Sequence, residues 1–282
     1  MDMGDRIGLD WGGSGRRRDH ERVAYGTDDP ERQWLNIALA DDAGPRPVCL
    51  YAHANGGSAD VVSDATADAV LGAGYSLVSW HSVPRIQSPA DVQMGQADAQ
   101  LAFDWVRAQA DTYDFDPDRI VICGRSRGSV VSWELGYSGH PSILGAYYYN
   151  ALPDGVWTTP EVWNPLDSVD AEVPLFLAFG PAPNDGDIHN PANLHPVVDR
   201  YEEVDEADNV TLIEDMTVDG LEPFHFFGDF VGDLDDNSSR NPDSDTEPDD
   251  VDGGCSTLPN PAPVGWVLVV LFGLQRRRRV RR

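Results

Sequence analysis

An α/β fold with a largely parallel sheet is predicted by three observations. From Tyr25 onward, short β-type apolar runs alternate with longer segments of helical period. A Gly-x-Ser-x-Gly turn sits where one such run meets one such helix, at residues 124–128. The chain has 282 residues, 41% of them hydrophobic, enough to bury a sizeable core and to exclude wholesale disorder.

The elements follow in order. Residues 47–54 (PVCLYAHA) read as a buried strand, and the small residues of 59–73 as a helix. Residues 75–81 form the next strand. Residues 91–111 predict a helix with Ala97, Leu101, Trp105 and Ala108 on its apolar face, spaced four, four and three apart. Asp116 and Pro117 lead into a strand at 119–123, followed by the turn and a helical run at 129–135. Strands are predicted at 144–149, 174–180 and 209–216, with a helix at 192–204 between the last two.

Four segments organise the chain: a Gly-, Asp- and Arg-rich lead at 1–21, a catalytic-sized domain at 22–232, an acidic linker at 233–254, and a tail at 255–282. The lead holds no apolar run long enough for a signal peptide. The linker, rich in Asp, Ser, Asn and Pro, has almost nothing to bury and is expected to be disordered.

The 20 basic residues are all arginine, so any chemistry that needs a lysine amine is excluded. With 48 acidic residues and a net charge of −28, the chain is no partner for nucleic acid. Three cysteines without Cys-x-x-Cys spacing support neither a zinc ribbon nor a redox site. Cys49 and Cys123 are read as buried thiols.

Gly124-Arg125-Ser126-Arg127-Gly128 has the chemistry of a nucleophile elbow. Glycines two residues either side of a serine permit close backbone approach and lift its hydroxyl above the sheet edge. The N–H of Arg127 would then face a developing oxyanion. Serine needs a general base oriented by a carboxylate, and in this kind of site the chain order is Ser, acid, His. Of seven histidines, four follow Ser126. His225, in Pro-Phe-His-Phe-Phe beyond the last strand, is expected to be the base; His140, His189 and His195 are read as structural or substrate-facing. The acid belongs in the loop after 174–180, where Asp185 is preferred over Asp187. A second oxyanion donor is expected from His53-Ala54-Asn55-Gly56-Gly57, through the N–H groups of Asn55 and Gly56.

These residues resemble the α/β-hydrolase superfamily, in particular its small carboxylesterase and feruloyl- or acetyl-esterase-like members. The resemblance spans residues 23–228 and includes Tyr25-Gly26, Gln33-Trp34-Leu35-Asn36-Ile37, the His53 loop, Gly74-Tyr75, Asp116-Pro117-Asp118-Arg119-Ile120, the elbow and His225. It implies ester hydrolysis through an acyl-enzyme with no cofactor, on a small-molecule or carbohydrate-linked ester. A peptidase or lipase on the same scaffold, or a non-catalytic binding protein, are the alternatives. Two features depart from the family pattern. The usual His-Gly-Gly loop is His-Ala-Asn-Gly-Gly, and arginine stands on both sides of the serine. Arg127 either selects an anionic substrate or pairs with Glu134; the sequence leaves both open.

The tail resembles a tripartite C-terminal sorting signal: Gly253-Gly254-Cys255-Ser256, an apolar run of 11 residues at 264–274, and six arginines at 276–282. The resemblance implies processing and lipidation at Cys255 by a sorting protease, a membrane partner and an exported, surface location. A cytoplasmic location is the alternative.

Overall fold

The computed structural model describes residues 18–42, 44–153, 163–180 and 186–216. Eight strands among them form one sheet: β1 (His20–Ala24), β2 (Trp34–Ala38), β3 (Arg46–Ala52), β4 (Ser76–Trp80), β5 (Phe115–Arg125), β6 (Ile143–Tyr149), β7 (Leu175–Ala178) and β8 (Val210–Ile213). Their order is β1-β2-β4-β3-β5-β6-β7-β8. The β2 strand runs antiparallel to both neighbours, and from β4 to β8 every pair is parallel. All six strands expected from the sequence are present; β1 and β2 extend the sheet at its antiparallel edge.

Strands at the centre are buried on both faces, which is why 47–54 and 119–123 read as continuous apolar runs rather than alternating ones. Helices α2 (Pro89–Ala108) and α4 (Arg127–Gly136) cover one face and α1 (Asp64–Gly72) the other. A short helix α3 (Ala110–Tyr113) follows α2, and α5 (His195–Glu203) precedes β8. Cys49 and Cys123 are free, buried thiols with Sγ atoms 2.8 Å apart, and burial pushes the Cys123 thiol well up.

The α2 helix lies where its period predicts but turned on its axis. Its buried positions are Val92, Gly95, Asp98, Ala99, Ala102, Phe103 and Val106. Ala97, Leu101 and Ala108 of the expected face are exposed, and Trp105 is half-buried. Alanines occur on both faces, so spacing alone did not distinguish them. Packing did: a Cβ at Gly95 would stand 2.5 Å from Val131 Cγ1, so α2 can press on α4 there only through a glycine.

Residues 217–282 lie outside the described residues, and with them His225, Cys255, the apolar run and the terminal arginines. Among the described residues no helix is long and apolar enough to cross a membrane. The exported, membrane-associated surface location expected from the tail is corrected on that finding, and no membrane partner is carried forward.

Candidate active site

The elbow is dictated by sterics. Ser126 has φ 51° and ψ −114°, a conformation that side-chain-bearing residues rarely adopt. The strand before it and the helix after it hold it there. A Cβ at Gly124 would lie 2.6 Å from the Gly128 carbonyl carbon, and one at Gly128 only 2.2 Å from Ala52 O on β3. Both glycines are therefore required for the turn to close against the sheet. The Ser126 N–H donates to Tyr149 O of β6 at 3.0 Å, tying the elbow to the neighbouring strand end.

Ser126 Oγ lies 3.0 Å from His189 Nε2. His189 Nδ1 is in turn 3.2 Å from Asp187 Oδ1, which also accepts the His189 backbone N–H at 2.8 Å. A carboxylate accepts only, so the tautomer with its proton on Nδ1 faces Asp187 and leaves the Nε2 lone pair to the serine hydroxyl. Serine, histidine and aspartate thus form a connected series, with the last two residues supplied by one loop after β7. Both are partly exposed. Sequence reasoning assigned His189 a structural or substrate-facing place; the signal that could have found it is Asp187-x-His189, a carboxylate beside an imidazole. Asp185, like His225, lies outside the described residues.

The other histidines have settled partners. His140 Nδ1 accepts the Ser142 N–H at 3.1 Å and its ring meets Phe103 edge-on. His195 Nε2 is 2.7 Å from Glu214 Oε1 at the surface. His53 is fully buried, its Nδ1–H donating to Ala54 O at 2.8 Å, and it stacks on His81 at 5.2 Å. Burial first, and then the Arg127 charge, hold His53 well below the usual imidazole range and push His81 down to about 4.

The loop after β3 is pinned to the segment Pro84–Ile86. Gly56, at φ +77°, donates its N–H to Pro84 O at 2.7 Å, while Asn55 Oδ1 accepts the Ile86 N–H at 3.0 Å. The Gly56 N–H is therefore engaged within the protein. The N–H groups of Asn55 and Arg127 have no acceptor among the described residues.

Neither role considered for the Arg127 side chain is the observed one. It is fully buried beneath the elbow, with Nη1 donating to His53 O at 3.3 Å, whereas Glu134 is exposed on α4. Burial pushes its guanidinium down to about 10, against the opposing pull of Asp98, so it stays charged at neutral pH. Asp98, also buried, holds Arg32, Gln33 and Ser82. Tyr148 of β6 stacks on Trp133, and Trp163, which follows β6, meets Trp133 edge-on. Trp157 is outside the described residues.

This strand order, with a serine elbow after β5, is the esterase-like α/β-hydrolase fold. The BD-FAE family profile matches residues 42–152, from β3 to the end of β6. Among solved structures, a truncated carbohydrate esterase from gut microbiota is 18% identical, with a TM-score of 0.56 over 78% of this chain and 96% of its own. Esterase 2 of Thermogutta terrifontis, phosphoramylated by tabun, is 17% identical, with a TM-score of 0.51 over 77% and 94%. A bifunctional GH43-CE protein of Bacteroides eggerthii is 17% identical, with a TM-score of 0.52 over 69% of this chain and 34% of its own. No curated protein sequence matches the chain.

Proposed function

We propose that the chain is a serine hydrolase of carboxylic esters, with Ser126 as nucleophile, His189 as base and Asp187 as its orienting acid. The observation that carries this reading is the 3.0 Å contact between Ser126 Oγ and His189 Nε2 at a strained elbow. His189 takes the hydroxyl proton as the Oγ–C bond forms and returns it to the departing alcohol as the C–O bond breaks. Water then repeats the cycle on the acyl-enzyme, releasing the acid and restoring the serine. The N–H groups of Arg127 and Asn55 stabilise the tetrahedral oxyanion. An acetylated or aromatic-acyl sugar is the substrate that the carbohydrate-esterase likeness favours.

His225 is the competing base, because the family's chain order puts its histidine beyond the last strand. Hydrolysis of 4-nitrophenyl acetate by the full chain separates the two. Ser126→Ala and His189→Ala should each lower kcat by at least about 10⁴-fold with folding intact, and His225→Ala by only a few-fold. The opposite ranking of the histidine variants would transfer the base to His225. Labelling by paraoxon, with the adduct mapped to Ser126 by mass, tests the nucleophile alone; an unlabelled, folded, inactive protein would leave a binding scaffold. A 4-nitroanilide turned over faster than the matching ester would make it a peptidase.

A further inference from the structure

Six of the ten arginines among the described residues are neutralised by a carboxylate. Arg18, Arg22, Arg32, Arg46, Arg119 and Arg200 each pair with a carboxylate. That is expected where acidic residues outnumber basic ones 48 to 20. Of the four without a carboxylate partner among the described residues, Arg85 and Arg125 lie near the loop after β3 and the elbow. Arg85 is exposed and has no carboxylate partner among the described residues. It rides on the segment whose two neighbours, Pro84 and Ile86, are hydrogen-bonded to the oxyanion loop, and its Nε lies 3.5 Å from where a Gly56 Cβ would be. Arg125 immediately precedes the nucleophile at the end of β5. Its guanidinium lies over the Tyr149 ring at 5.3 Å, again without a carboxylate among the described residues. Arg85 thus lies against the loop after β3, on one side of β5, and Arg125 against the end of β6, on the other. Arg107, also without a carboxylate, lies over the Phe103 ring on α2, and Arg127 is the buried residue beneath the elbow.

We infer that the cleft selects esters that carry a negative charge, with a carboxylate on the acyl or the alcohol portion held by Arg85 or Arg125. This deepens the hydrolase reading and rests on it. In so acidic a chain nearby acids would ordinarily approach an unpaired guanidinium; two left clear at the ends of β3 and β5 are open to neutralisation by an incoming anion. The chain's overall charge of −28 repels anions at long range, so the preference comes from close contact and should appear chiefly in KM. A fork-shaped guanidinium suits a carboxylate in two-point contact, and Arg125, steadied by the Tyr149 ring, is preset for it.

The test uses two matched pairs of esters on the full chain: mono-4-nitrophenyl glutarate against its methyl ester, and 4-acetoxybenzoate against methyl 4-acetoxybenzoate. The wild type should favour the free carboxylate in at least one pair by about tenfold in kcat/KM. Arg85→Gln or Arg125→Gln should bring that ratio close to one, while the lysine variant at the same position keeps most of it. The ratio is internal to each preparation, so a partly folded variant does not distort it. Equal or better use of the methylated ester in both pairs would overturn the inference, as would a ratio that survives both glutamine variants. Hydrolysis of neutral esters would still stand in that case. A wild type inert to all four esters would overturn the hydrolase reading and this inference together.

Discussion

Gly128 shows how a single atom governs the turn that carries Ser126. A methyl group there meets Ala52 O at 2.2 Å, and that oxygen is fixed in the central parallel pairing of β3 with β5. Neither side can yield, so Gly128→Ala should lose about 3 kcal/mol of stability in urea unfolding and nearly all esterase activity. Arg127 carries two roles in different parts of one residue. Its backbone N–H, without an acceptor among the described residues, is the proposed oxyanion donor, while its guanidinium is buried against the carbonyl of His53. The motif made Ser126 legible from the sequence alone. It could not reveal where an arginine side chain goes after the turn, because a buried cation with a lone carbonyl partner is an arrangement that only packing creates.

At the scale of elements, α2 separates what periodicity can tell from what it cannot. The helix itself was legible, with Ser88 accepting the Asp91 N–H as its N-cap and Pro89 in the first turn. Its buried face was not, since two stripes of small and apolar residues compete over the same span. The observed orientation makes a sharp prediction. Phe103→Ala, at a fully buried position, should cost about 3–5 kcal/mol in chemical denaturation, whereas Leu101→Gln, on the exposed stripe, should change stability by less than ~0.5 kcal/mol. The same limit applies to the loop after β7. Asp187 and His189 are two residues apart and their mutual contact is local, but that the imidazole meets Ser126, 63 positions earlier, follows from the parallel order β5-β6-β7.

The whole molecule carries a pH dependence written in one buried and one half-buried histidine. His53, at the start of the loop after β3, stacks on His81, and His81 also meets Trp34. Both are neutral in the folded chain near neutral pH, His81 down to about pH 4. On unfolding they regain the ordinary imidazole value near 6.5 and take up protons. Protons therefore favour the unfolded chain: stability is full above pH 7 and falls as pH drops from about 6.5 toward 4, by up to ~1.4 kcal/mol per pH unit for each histidine. Urea midpoints measured at pH 7 and pH 5 should differ accordingly. His81→Phe, which keeps a ring in the stack, should flatten the acid limb; an unchanged slope would mean that other groups set it.

The sequence by itself determined the alternation of strands and helices, the glycine-flanked turn at Ser126, and a net charge of −28. Each of these is local: a period, a turn, a count of charges. Tertiary structure decided which histidine among the described residues reaches Ser126, which stripe of α2 is buried, that Arg127 points inward, and that Arg85 and Arg125 have no carboxylate partner among the described residues. Those depend on residues far apart in the chain meeting across a sheet, where strand order and close packing, rather than neighbouring sequence, fix the contacts.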